Sequence, residues 1–195
     1  MNNGKKVLII GLTLLTGFTY SAGAVTKDMK KVVDEALEFS VKQSMSMFNE
    51  MKDQKGILPR TAKDGKMITC ESAWWTSGFY PGSLWYCYEY SNDPQVRAAA
   101  EEMTSRVEKQ KYTTSNHDVG FIINCSFGNG YRLTHNETYR EVIETAAKSL
   151  STRFHPVTRC TRSWNSKKWQ FSVIIDNMMN LELLNVASSL TGDNT

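Results

Sequence analysis

The sequence predicts an all-α protein of stacked helical hairpins, either an α/α solenoid or a closed α/α toroid. Three observations carry this. Apolar residues recur at helical spacing nearly throughout. Helices with one wet face alternate with helices apolar on most sides. A similar short turn follows each of the latter.

The chain opens with "MNNGKKVLIIGLTLLTGFTYSAGA", two lysines, an apolar stretch from Val7 to about Phe18, and Ala22-Gly23-Ala24. That order is a secretory leader, residues 1–24, with a cut expected after Ala24 and a periplasmic destination. Its apolar core is too short to span a bilayer, and no other run comes close, so the mature chain should hold no membrane span. Removing Lys5 and Lys6 leaves 21 basic against 20 acidic residues, which gives nucleic acid no electrostatic footprint. Cys70, Cys87, Cys125 and Cys160 form no C-x-x-C pair, and the three histidines lack helical ligand spacing. No metal or cofactor is therefore expected. Cys87 and Cys125 sit inside apolar runs and are expected as buried free thiols. Oligomeric state leaves no mark in the sequence.

The first amphipathic helix should run from about Lys27 to Met51, its dry stripe formed by Val33, Leu37, Val41, Phe48 and Met51. "PGSLWYCYEY" follows as an apolar helix and ends at Ser91-Asn92-Asp93, where Pro94 suits the first helical position behind an Asp cap. Val96, Ala100, Met103 and Val107 then mark an outer helix with a wet face. The second apolar helix, "DVGFIINCSFGNGYRL", ends at Thr134-His135-Asn136, where Thr134 and Glu137 have capping-box spacing. In that setting Asn136-Glu137-Thr138 reads as a helix start rather than a glycosylation site. Tyr139, Val142, Ala146 and Leu150 mark the second outer helix, and "SVIIDNMMNLELLNVASSL" the third apolar one, ending at Thr191-Gly192-Asp193. No third outer helix follows, and the chain reads as the front part of a longer protein.

Counting back from the turns locates the chemistry. Sixteen residues before Ser91 is Trp75, sixteen before Thr134 is Asp118, and fifteen before Thr191 is Asp176. At about 1.5 Å per residue these lie roughly 22–24 Å from the turns, near the start of each apolar helix. Stacked hairpins would gather them at one mouth. Asp118, in "SNHDVGF", starts a helix, which should favour its charged form. Asp176 has Val173, Ile174, Ile175, Met178 and Met179 around it in sequence, which should favour its protonated form. Such an opposed pair can divide acid and base work; the alternative is a helix cap and a hydrogen-bonded structural acid. "AWWTSGFYPGSLWY" and the tryptophan of "TRSWNSKKWQ" add aromatics, of which Trp75 and Trp164 are the candidates for sugar contact and Trp85 and Tyr86 for core.

"WWTSGFYPGSLWY", "NHDVGF", "NCSFGNGYRLT", "RSWN" and "VIIDNMMNLELL", in this order from Trp74 to Asp193, resemble the unsaturated glucuronyl hydrolases of glycoside hydrolase family 88. The resemblance implies an (α/α)6 barrel, of which residues 25–195 would be the N-terminal part, about half. It implies an unsaturated uronic-acid oligosaccharide as substrate and hydration of the C4=C5 double bond left by polysaccharide lyases. The position matching Asp176 would protonate C4 and then activate water for C5, and Asp118 would assist. Trp75, His117 and Trp164 would contact the sugar. Residues that hold the uronate carboxylate would lie beyond Thr195, so the fragment 25–195 is expected to be inactive and aggregation-prone. An unsaturated rhamnogalacturonyl hydrolase shares the barrel and the chemistry. A non-catalytic glycan-binding helical repeat and a purely structural α-solenoid are the rivals from other classes.

Overall fold

The computed structural model describes residues 27–193, so the leader falls outside the described residues. Helix α1 (Lys27–Met51) has the expected bounds. Its stripe is dry only toward the C-terminal end, where Met51 is buried; Val33 and Leu37 are exposed. The reason is geometric. The described residues cover this helix only where α2 (Phe79–Ser91) and α3 (Pro94–Ser105) pack against it.

Between α1 and α2 lies an antiparallel hairpin that helical periodicity did not anticipate, β1 (Ile57–Lys63) and β2 (Lys66–Glu71). Asp64 and Gly65, at φ 50° and 71°, form its tight turn. Asp-Gly is a strong two-residue hairpin signal, because both turn positions require positive φ.

The turns after the apolar helices fold alike. Asn92, His135 and Gly192 each take the left-handed conformation and close the preceding helix. Asp93 then caps α3, its Oδ1 accepting from Gln95 N–H at 2.8 Å, with Pro94 at the first position. At the second turn the cap is Asn136, not Thr134. Asn136 Oδ1 accepts from Thr138 N–H at 3.0 Å, while Thr134 still belongs to the previous helix.

The second apolar helix is built in pieces. Helix α4 (Val119–Ile123) widens into a π turn (Asn124–Gly128) and resumes as α5 (Asn129–Thr134). Ser126 Oγ–H donates to Ile122 O at 2.6 Å within the widened turn. Helix α6 (Glu137–Ser151) is its outer partner. The third apolar stretch starts later than expected, as α7 (Asn177–Asn180) and α8 (Glu182–Thr191), and is buried on one side only. A short pair, β3 (Phe154–His155) and β4 (Cys160–Thr161), lies in the long loop before it.

Two packed clusters hold the hairpins together. One centres on Trp85, Leu84, Ala100 and Met103, the other on Ile122, Phe127, Ile143, Leu150 and Leu183. Trp85 satisfies its indole N–H on Thr104 Oγ1 at 2.9 Å. Arg106 gathers the carbonyls of Lys52, Gln54 and Ile57 at 2.9–3.0 Å and so ties the end of α1 to α3. Tyr86 is exposed rather than core, because it turns away from Trp85 and lies beneath the Arg132 guanidinium. All four cysteines are free thiols. Cys87 is buried, whereas Cys125 is only half-buried, and burial pushes its thiol up to about 11.

Candidate active site

The loop before α4 and the loop before α7 are laced together by backbone. His117 N–H donates to Ser163 O at 2.9 Å, Ser163 N–H to Ser172 O at 2.7 Å, and Ile174 N–H to Ser163 Oγ at 3.1 Å. Asn116 and Trp164 form a β-bridge beside them. Asp118 and Asp176 each take the position just before a helix, and the helices they precede, α4 and α7, touch. The approach is close enough that a Cβ on Gly120 would run into the backbone of Asn180. Asn180 fastens the contact: its Oδ1 accepts from Phe121 N–H at 2.8 Å, and its Nδ2–H donates to Asp176 O at 3.3 Å.

This brings the two acids to one imidazole. His117 Nε2 is 3.5 Å from Asp118 Oδ1 and 3.8 Å from Asp176 Oδ2. The ring is buried, and its Nδ1 bonds Asn177 Oδ1. The indole of Trp164, 38% exposed, stands edge-on to the His117 ring at 6.2 Å. Trp75, 44% exposed, leans on Phe79 and Phe121 at centroid distances of 5.7 and 6.1 Å. Two open indoles thus adjoin the elements that carry the acids.

The electrostatics depart from the sequence expectation. Asp118 makes no side-chain cap to α4, and its carboxyl pKa is raised. Burial is the main cause and Asp176 adds to it, while His117 and Arg153 pull the other way. Its side chain faces the imidazole rather than the helix amides, so the helix start does not decide its charge. The apolar neighbours of Asp176 in sequence do not enclose it either: Ile175 is 87% exposed, and Met178 and Met179 are exposed. Asp176 Oδ1 is nonetheless buried and accepts no hydrogen bond among the described residues.

Donor atoms of His117, Asp118 and Asp176 lie within 4.8 Å of one another, a grouping that could gather a cation. The same contacts suit two carboxyl groups that share protons with an imidazole, and the raised carboxyl of Asp118 fits that arrangement. Sequence reasoning missed Arg153, Asn177 and Asn180. Arg153 donates from Nε to Arg162 O at 2.7 Å and from Nη1 to Thr114 O, bracing the loop that ends in His117 and Asp118. The two asparagines at one and four residues after Asp176 were the available signal, since buried amides in an apolar run must bond something.

Curated proteins share this stretch, among them two hydrolases. An unsaturated glucuronyl hydrolase of Formosa agariphila is 46% identical over 123 residues, 62% of this chain and 31% of its own length. An unsaturated chondroitin disaccharide hydrolase of Streptococcus pyogenes is 30% identical over 169 residues, 83% of this chain and 41% of its own. Over this stretch the chain is similar to unsaturated glucuronyl hydrolases. Among solved structures, an unsaturated glucuronyl hydrolase specific for heparin superposes with a TM-score of 0.73 at 37% identity. The match covers 82% of this chain and 44% of that one. A glucuronyl hydrolase from a Bacillus species, described as responsible for glycosaminoglycan degradation, gives 0.70 at 25% identity over 80% and 44%. The hairpins are therefore part of an α/α toroid, and the chain spans 31–41% of the length of these curated relatives. No family model matches the chain.

Proposed function

We propose that this chain carries the acid pair of a glycoside hydrolase of family 88, which removes a terminal 4,5-unsaturated glucuronate from lyase-generated oligosaccharides of glycosaminoglycan type. The observation that supports this is the meeting of Asp118, Asp176 and His117 within 4.8 Å, flanked by the open indoles of Trp75 and Trp164. The carboxyl of Asp176 gives its proton to C4, and the ring oxygen stabilises the positive charge left at C5. Water adds at C5 as the Asp176 carboxylate takes one of its protons. The resulting hemiketal opens to a C5 ketone, and the C1 hemiacetal releases the neighbouring sugar. Asp118 and His117 hold and tune the proton between steps, and the indoles carry the sugar faces.

The test follows the ultraviolet absorbance of the C4=C5 bond in unsaturated chondroitin, heparin and pectin disaccharides, with the full-length protein that carries this chain and its Asp176→Asn variant. The reading expects loss of absorbance on a glucuronate substrate, slowed by about 10²–10⁴-fold in the variant. Equal rates for both proteins would refute the role of Asp176, and preference for the pectin fragment would favour the rhamnogalacturonyl reading. Binding without turnover by the full-length protein would favour a glycan-binding module.

We further propose that the chain is exported and cut after Ala24, on the strength of the leader pattern in residues 1–24. A mature N-terminus other than Val25 on the periplasmic protein would refute that.

A further inference from the structure

Asn177 follows Asp176 in sequence, but its side chain is turned into the fold and is 4% exposed. The two ends of its amide have opposite hydrogen-bonding character. Nδ2–H donates to the carbonyl of Thr161 at 2.7 Å, in the β4 strand. That contact fixes the amide, because the reversed orientation would set Oδ1 against the Thr161 carbonyl, acceptor against acceptor. The end presented to His117 Nδ1 is therefore Oδ1, which can only accept.

We propose that Asn177 is a positioning residue that holds His117 as the Nδ1–H imidazole, leaving Nε2 as the nitrogen that faces Asp118 and Asp176. The proposal deepens the acid-pair reading given above and rests on it for its catalytic meaning. In this tautomer a neutral ring offers the carboxylates a lone pair, and two ionised carboxylates would meet it acceptor to acceptor. One group of the three must then carry a proton on the shared side: Asp118, Asp176 or Nε2 itself. The opposite tautomer would make Nε2–H a fixed donor, and both acids could be ionised with no proton to deliver. Asn177 thereby keeps a transferable proton at the rim, without touching substrate.

The decisive measurement is long-range ¹H–¹⁵N correlation on the full chain labelled at histidine. The wild-type protein should show a hydrogen on His117 Nδ1 at every pH at which the chain is folded. Asn177→Asp keeps an acceptor on Nδ1 and should retain that tautomer. Asn177→Leu removes the acceptor and should populate the Nε2–H form, with kcat of the full-length protein lowered about tenfold or more and KM held. A bare Nδ1 in the wild-type chain would overturn the proposal, as would an Asn177→Leu protein whose tautomer is unchanged. If the Leu variant does not fold, the wild-type and Asp spectra decide alone. Failure of the hydrolase reading is a separate result, absence of turnover by the full-length protein, and leaves the tautomer spectrum as it stands.

Discussion

Gly120→Ala tests whether the contact between α4 and α7 is as tight as the structure shows. Replacing glycine by alanine inside a helix ordinarily stabilises by about 0.5–1 kcal/mol, so the intrinsic preference favours the variant. Here a Cβ would lie 2.6 Å from Asn180 Cα and 2.7 Å from its carbonyl carbon, where ordinary contact begins at 3.4 Å. These are backbone atoms and cannot rotate aside, and the carbonyl oxygen of Asn180 lies nearer still, so α7 must recede by about 1 Å. The Phe121 N–H to Asn180 Oδ1 bond, 2.8 Å now, would then exceed 3.5 Å and be lost. Overpacking of about 1–3 kcal/mol and an orphaned buried donor of about 1–3 kcal/mol, less the helix gain of about 0.5–1 kcal/mol, leave a net loss of roughly 1–5 kcal/mol. For a chain of this size that is a fall in Tm of about 2–20 °C. Urea titration followed by circular dichroism measures the loss. A variant as stable as wild type, or more stable, would show that the two helix starts are not in contact and that the acids need not meet.

Arg153→Met should destabilise by about 1–3 kcal/mol for each carbonyl it orphans, at Thr114 and Arg162, and urea titration will show it. It should also raise the Asp118 pKa further, since Arg153 lowers it, and carboxyl ¹³C shifts report that. Asp118→Asn should gain stability relative to wild type as pH rises. The folded pKa of Asp118 lies above its ordinary value of 3.8, so its contribution is fully present below that value and is lost as pH climbs through the folded pKa. Urea midpoints of both proteins across pH 3–8 check the sign. Glu89→Gln breaks a two-pronged pair with Arg132, 2.7 Å on each arm, yet both partners are over 40% exposed, so less than about 1 kcal/mol should be lost on thermal melting.

The hairpin order and its turns were legible because each rests on a local signal. Asp93 with Pro94 marks a helix start that no tertiary contact needs to correct. The recurrence of the turn at a fixed distance from Asp118 and Asp176 was enough to place both acids at helix starts. The β1–β2 hairpin was missed although Asp64-Gly65 announced it, because short strands carry little periodic signal beside a long helix. The surroundings of the acids were not legible. Sequence neighbours suggested an enclosed Asp176 and an Asp118 kept charged by its helix start, but Ile175 lies in solvent and Asp118 is raised by burial beside His117. Burial depends on how two distant loops close over each other, and nothing local encodes that.

An acid between Ile175 and two methionines looks like an error of patterning until its neighbours on the other face of the same turn are counted. Asn177 reaches Thr161 and His117, and Asn180 reaches Phe121 and the carbonyl of Asp176. Each amide uses both of its ends, so a carboxylate in its place would leave the carbonyl it serves without a donor. The asparagines fix where the α7 turn sits relative to α4, and the carboxylate of Asp176 is thereby held beside the imidazole rather than released to water. The apolar residues beside it contribute little to that placement, since Ile175, Met178 and Met179 face outward. The placement of the acid follows from the two amides and the buried imidazole, and the methionines between the asparagines are free of that task.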